Sequence, residues 1–130
     1  MRKLFFMATL AMMAFVATSC SDTPSSLKGT WVNEGFIVQD DVQIKSVWTL
    51  TVSGSEETNA AGNITHIFGG MEATNENVVV NYSDGKGTFA SADGSKKIEG
   101  TIKAEAKDEL EVNLDENGSP RLRNSHFFKK

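Results

Sequence analysis

The sequence predicts an all-β domain of about eight antiparallel strands in an up-and-down barrel, placed after an N-terminal signal peptide. Two observations predict this class. Apolar and polar residues alternate with a period of two through most of the chain, as in strands with one buried face. Asn-Gly, Asp-Gly and Gly-Gly pairs separate these runs and favour tight hairpin turns. Closure into a barrel removes exposed sheet edges, and a two-sheet sandwich is the alternative.

The first 19 residues have the organisation of a secretory signal. Arg2 and Lys3 are followed by the uncharged run LFFMATLAMMAFVA and then by small residues. A transmembrane helix needs about 18–20 apolar residues, and this run is shorter. We therefore interpret residues 1–19 as a signal peptide.

Cys20, the only cysteine of the chain, directly follows these small residues. A signal that ends in a small residue and then Cys resembles the lipobox of bacterial lipoproteins, with Ser19 and Thr18 before the cut and Ala17 in place of the usual leucine. The resemblance implies lipid on the Cys20 thiol and anchoring in the bacterial cell envelope, expected at the outer membrane on its periplasmic or its surface face. The alternatives for Cys20 are a buried apolar side chain and an intermolecular disulfide.

The rest of the chain is predicted to form a tether and one folded domain. Residues 20–26 are polar, include a proline and predict a lipidated tether, and residues 27–130 are long enough for a single core. Without Arg2 and Lys3, the 13 basic residues of the chain fall to 11 against 17 acidic ones, a formal charge of −6. Nucleic-acid-binding faces are basic, so we expect no nucleic-acid partner.

The alternation of apolar and polar residues defines the strands in order. The clearest run is VQIKSVWTLTV, whose apolar face carries Val42, Ile44, Trp48, Leu50 and Val52. The runs NVVVNY, KKIEGTIKAEA and ELEVNL keep their apolar residues in one phase in the same way. Only AEAKDELEVNL has a helical alternative, and its alternating Leu, Val and Leu favour a strand. The predicted strands are 29–38, 42–53, 63–69, 77–83, 86–91, 96–106, 109–115 and 121–129.

The first strand opens with LKGTWVNEGF, in which Gly29 and Trp31 form a Gly-x-Trp motif. This motif resembles the signature of lipocalins and the wider calycin group, and the short chain is similar to the compact lipocalin-like domains of Bacteroidetes lipoproteins. In that family the tryptophan closes one end of the barrel and a late arginine packs across its ring. The resemblance implies these roles for Trp31 and for Arg121 or Arg123. The alternative for Trp31 is an ordinary core aromatic.

The chain offers little that predicts chemistry. His66 is in phase with Ile64, and His126 with Phe128, so both imidazoles enter the barrel if these phases face inward. The alternative is a hydrogen-bonded histidine near a barrel rim. Metal-ligand spacing and a glycine-rich phosphate loop are missing, and most carboxylates fall in predicted turns. We therefore predict no metal, no cofactor and no catalytic residue, and thus a protein that is not an enzyme.

Two functions are compatible with this architecture. In the first, the open end binds a small apolar or amphipathic ligand in a small or shallow cavity, because the inward side chains nearly fill so short a barrel. The predicted lining is Asn33, Trp48, Tyr82 and His126. The predicted inward residues are Phe36, Ile44, Trp48, Phe68, Val80, Tyr82, Phe89, Ile102, Leu110, Val112, Leu114 and Phe128. In the second, the barrel is filled and the chain is a protein-interaction or inhibitor module that recognises its partner through loops 39–41, 53–62 and 70–76.

Overall fold

The computed structural model describes residues 23–130. Within that range no helix is long and apolar enough to cross a membrane. The predicted signal peptide, 1–19, and Cys20 lie outside the described residues. The strands are β1 (Gly29–Gln39), β2 (Val42–Val52), β3 (Ala60–Phe68), β4 (Met71–Ser83), β5 (Lys86–Ser91), β6 (Ile98–Ala106), β7 (Glu109–Glu116) and β8 (Ser119–Lys129).

Each strand pairs antiparallel with the next one along the chain, and β8 returns to β1 to close the barrel. The predicted all-β, up-and-down barrel is therefore confirmed, and the sandwich alternative is wrong. The ladder that closes the barrel is short. It contains only the pairs Trp31 with Lys129 and Val32 with Phe128.

Two-residue turns connect most of the hairpins. Both residues of these turns have positive φ, which matches the twist of the flanking strands. The turns are Asp40-Asp41, Gly69-Gly70, Asp84-Gly85 and Asn117-Gly118. Because β4 begins at Met71, directly after Gly70, the expectation of a loop over 70–76 is wrong. Its polar residues pair with β3 as a strand that buries only Thr74 before residue 77.

Side chains fill the interior of the barrel. They come from all eight strands at alternating positions, as the period of two requires. The largest buried ones, with less than 2 % exposure, are Trp31, Leu50, Ile64, Val78, Val80, Phe89, Ile98, Leu110, Val112, Leu114 and Phe127. The residues before β1 close one end. Trp31 Nε1–H donates to the Leu27 carbonyl at 2.8 Å, and the Tyr82 hydroxyl donates to the Pro24 carbonyl at 2.7 Å.

A bulge in β8 reverses the phase of its last residues. The register between β7 and β8 shifts opposite Asn113, where Asn124 adopts a φ of 50° and its N–H donates to Asn113 Oδ1 at 3.0 Å. One extra residue moves the following side chains to the opposite face. Phe127 is therefore buried, whereas Phe128 is 55 % exposed. The expectation that His126 and Phe128 face inward is wrong for this reason.

The β1–β2 hairpin extends past its neighbours. The ladder between β2 and β3 begins at Ser46, so residues 36–44 pair only within the hairpin, and the Lys45 carbonyl accepts from Gly69 N–H at 2.9 Å. We call residues 36–45 the hairpin arm. Phe36 lies on this arm and is 65 % exposed, so its predicted inward position is wrong. The reason is the alternation itself, because buried Trp31 turns the odd-numbered residues of β1 inward.

A Gly100→Ala substitution tests the packing of the core. A Cβ at Gly100 would clash with the buried Phe89 ring and the Asn113 carbonyl, and overpacking costs about 1–3 kcal/mol. We expect urea unfolding, followed by tryptophan fluorescence, to show a loss of this size. Gly35→Ala is the matched control, because a Cβ there meets open space, and the change should be neutral or stabilise by up to about 1 kcal/mol. Equal stability of the two variants would contradict the described packing.

Candidate functional site

A group of polar and aromatic side chains occupies the end of the barrel opposite residues 23–28. We call it the mouth cluster. The His66 ring stacks on Trp48, with centroids 4.0 Å apart and planes within 4°, and its Nε2 lies 2.8 Å from Ser46 Oγ. The cross-strand pairing of β2 and β3 places these side chains side by side, because Trp48 and His66 are direct partners. The members of the mouth cluster are Ser46, Trp48, His66, Thr74, Glu116 and Arg121.

An ion pair covers the mouth cluster. Arg121 Nη1 lies 2.5 Å from Glu116 Oε1, and the Thr74 hydroxyl donates to Glu116 Oε2 at 2.9 Å. The Arg121 guanidinium also lies 5.6 Å from the centroid of the Trp48 ring, a cation–π contact. These contacts join β2, β4, β7 and β8. They close the mouth with side chains of the protein itself.

His66 is the most isolated polar group of this cluster. Its exposure is 3 %, and Nδ1 has no hydrogen-bond partner among the described residues. Burial lowers the pKa of His66 below its ordinary value of 6.5, the Arg121 charge lowers it further, and Glu116 raises it. The imidazole is therefore neutral at neutral pH, and it is fixed by stacking and by one hydrogen bond.

A groove of about 550 Å³ lies on the outside of the barrel where β1 and β8 meet. We call it the seam groove. The groove exists because the backbone pairing of β1 with β8 stops after Val32. At the position of the next backbone hydrogen bond, the Asn33 side-chain amide donates to the His126 carbonyl at 2.8 Å instead. The residues that line the seam groove are Val32, Asn33, Glu34, Asn124, Ser125, His126, Phe128, Lys129 and Lys130.

The seam groove combines an apolar wall with charged groups. Val32 and Phe128 are direct cross-strand partners, and Phe128 is more than half exposed. His126 Nδ1 lies 2.7 Å from Glu109 Oε2 beside this wall, and Lys130 is exposed at its edge. An apolar wall with a few converging polar groups is the usual composition of a small-molecule site.

The four residues predicted to line one cavity lie at three different places. Asn33 and His126 share the seam groove, Trp48 belongs to the mouth cluster, and Tyr82 lies at the closed end of the barrel. The bulge explains the position of His126. Tyr82 is buried as predicted, with 5 % exposure. The alternation of apolar and polar residues predicts which face of a strand a side chain lies on, but not which end of the barrel it lies at.

The late arginines do not cover the tryptophan of the Gly-x-Trp motif. Arg121 lies over Trp48, and Arg123 binds Asp115 on the outer surface at 2.6 Å. The cation over Trp31 is Lys129, with Nζ 5.6 Å from the ring centroid. Gly29, at the start of β1, has a φ of 134°, and a Cβ at this position would lie only 3.1 Å from Lys129 Cε. The expected cation–π contact on Trp31 is therefore present, but a lysine makes it and not an arginine.

The remaining chemical groups are dispersed. Within residues 23–130, no group of three or more His, Cys, Asp or Glu side chains is arranged to hold a metal ion. Of the predicted recognition loops, 39–41 is reduced to the Asp40-Asp41 turn, and 53–62 loses its last residues to β3, which begins at Ala60. No protein-family model, curated protein or solved structure matches this chain.

The neutral, buried His66 predicts a pH-dependent stability. As the pH falls through 6.5, His66 takes up a proton in the unfolded chain. In the folded barrel, burial disfavours the protonated form of His66, so protonation requires a lower pH. Stability therefore decreases toward acid, by at most about 1.4 kcal/mol per pH unit from this one group. We expect His66→Phe, which keeps the stack on Trp48, to flatten the decline measured by urea unfolding between about pH 7 and pH 5. His126→Phe leaves His66 in place and should retain the decline; the reverse pattern would contradict the assignment.

Proposed function

We propose that this chain is a lipid-anchored, non-enzymatic binding protein of the bacterial cell envelope, and that the seam groove takes a small amphipathic ligand. The anchor rests on the sequence, in which the only cysteine follows a signal-like segment. The ligand site rests on one structural observation. The barrel interior is filled by side chains, whereas the β1–β8 seam leaves an apolar wall open to solvent.

The location of the groove outside the barrel follows from the packing. The core residues are buried from the closed end to the level of Trp48, and the mouth cluster covers them. A ligand that entered the interior would have to displace both the Arg121–Glu116 pair and buried apolar groups. The seam groove requires no such displacement, and its volume lies within the range of about 300–1,000 Å³ that small-molecule sites occupy.

The composition of the groove favours a ligand with an apolar body and an anionic head. The body would lie against Val32 and Phe128, and burying one such aromatic contact contributes about 1.5–3 kcal/mol. The head would meet Lys130 at the edge of the groove. The groove includes the C-terminal end of β8, which lies near residues 23–28. An anchor at Cys20 would therefore hold the site close to the membrane. An amphipathic ligand would be taken from that membrane.

We also propose kinship with the compact lipocalin-like domains of Bacteroidetes lipoproteins. The closed eight-stranded barrel, the Gly29-x-Trp31 opening and the cation over Trp31 support it. Outer-membrane anchoring belongs to the same proposal. A lysine in place of the arginine, and a ligand site outside the barrel, are the points at which this chain departs from that family.

The lipid anchor is tested by metabolic labelling. We expect the full chain, produced in a bacterial host, to incorporate a labelled fatty acid and to fractionate with membranes, because Cys20 is its only thiol. Cys20→Ser should lose the label and retain the signal segment, while Ser21→Ala should behave as the unchanged chain. Processing at another position, or an unlabelled chain, would refute the anchor.

The ligand site is tested by native mass spectrometry and by titration with laurate, a small amphipathic anion. We expect residues 23–130 to bind laurate, and Phe128→Ser to weaken the binding by about 10- to 100-fold, the equivalent of one lost aromatic contact. Met71→Ser removes an even more exposed apolar side chain at the far end and serves as the control. Unchanged binding by Phe128→Ser would exclude the seam groove.

A further inference from the structure

The hairpin arm carries an apolar surface that nothing in the described barrel covers. Phe36, Ile37, Val38 and Val42 are 65 %, 47 %, 66 % and 58 % exposed. These side chains occupy both faces of the arm. Ile37 and Val42 share the face of Ile44, whereas Phe36 and Val38 lie on the other. Two isolated strands are marginal in water, and a sheet of three or more strands is needed for stability.

The outer edge of the arm is also unpaired. Lys130 N–H donates to the Thr30 carbonyl, so the even-numbered residues of β1 direct their backbone groups toward β8. The ladder with β8 stops after Val32. The backbone N–H and C=O groups of Glu34, Phe36 and Val38 therefore point to an open edge. An open edge beside consecutive apolar residues is a template for another strand.

The position of the arm argues against a membrane as its occupant. The arm lies at the C-terminal end of β1, whereas residues 23–28 contact Trp31 and Tyr82 at the other end of the barrel. An anchor at Cys20 would thus direct the arm away from its own membrane. The tip of the arm is acidic, with Asp40 and Asp41 in the turn, and it would repel an anionic lipid surface.

The edge is complementary to itself. When two arms align antiparallel about Ile37, Phe36 of one copy lies opposite Val38 of the other, and each Ile37 lies opposite its own counterpart. At the ends of this apolar segment Glu34 of one copy lies opposite Asp40 of the other, and these like charges oppose the association. The even-numbered residues exchange backbone hydrogen bonds, and every exposed apolar side chain of β1 gains an apolar neighbour. Two-fold pairing of one surface with itself is the commonest form of protein association.

We propose that the open edge of β1 pairs with the same edge of a second copy, so that two arms form one continuous four-stranded sheet in the order β2–β1–β1–β2. The dimer uses the arm and not the seam groove, so it stands independently of the proposed ligand. It gives the apolar arm a partner that is present wherever the chain itself is present.

Light scattering during gel filtration tests the proposal with residues 23–130, which form a closed barrel with their own core. We expect the unchanged chain to show twice the mass of one copy, and Phe36→Pro to be monomeric. Proline removes an edge N–H that β2 does not use, and it is tolerated on edge strands. Met71→Ser, an exposed apolar change at the same end but off the edge, should remain dimeric. Circular dichroism verifies that each variant is folded.

A disulfide test does not depend on the proline variant. Residues 23–130 contain no cysteine, so each introduced thiol is unique. In the proposed alignment Ile37 opposes itself in a non-hydrogen-bonded pair, about 4.5 Å between Cα atoms, which suits a disulfide. We expect Ile37→Cys to form a disulfide between two copies on mild oxidation. Phe36→Cys should not form one, because the two introduced thiols would be diagonal neighbours about 7–8 Å apart. A monomeric unchanged chain, a dimeric Phe36→Pro or equal cross-linking of both thiols would overturn the proposal.

Discussion

Closure of the barrel depends on one short contact, the ladder between β1 and β8. It contains two residue pairs, whereas every other ladder of the barrel is longer. The Asn33 amide ends this ladder by occupying the His126 carbonyl. On one side of that point the strands seal the barrel over Trp31. On the other they diverge, which produces both the seam groove and the open edge of β1. The two surfaces proposed for binding therefore have one structural origin.

The mouth cluster shows how the barrel holds polar groups without a cavity. A buried polar atom without a hydrogen-bond partner costs more free energy than a single hydrogen bond contributes to stability. Most members of the mouth cluster are therefore paired. Ser46 contacts His66, Thr74 donates to Glu116, and Arg121 completes the ion pair. Among the buried side-chain polar atoms of residues 23–130, only His66 Nδ1 lacks a hydrogen-bond partner. The stack on Trp48 orients the ring, and burial keeps it neutral by lowering the pKa of His66. The result is a mouth that side chains of the protein itself cover.

The strands were predictable because each one follows from local alternation and a turn with suitable residues. The start of β4 was not, since its first residues are polar and bury only Thr74. The bulge at Asn124 was not predictable either, because it requires a positive φ that asparagine permits but does not signal. Asn33 and His126 were predicted to line a cavity at the open end, but the structure brings them together on the outer surface, at the seam between the two ends of the chain. Long-range geometry of this kind leaves no periodic trace in the sequence.

The short seam also bears on how the chain folds. Seven of the eight ladders join consecutive strands, and these form with small losses of chain entropy. The seam joins the two ends, where Lys130 N–H meets the Thr30 carbonyl at 2.9 Å. Closing a loop of about a hundred residues costs roughly 4 kcal/mol, and two rungs return little of it. Trp31 is fully buried at this junction and its indole N–H donates to the Leu27 carbonyl, so its burial contributes to closure. Ring closure is thus the step of this fold with the largest loop-entropy cost.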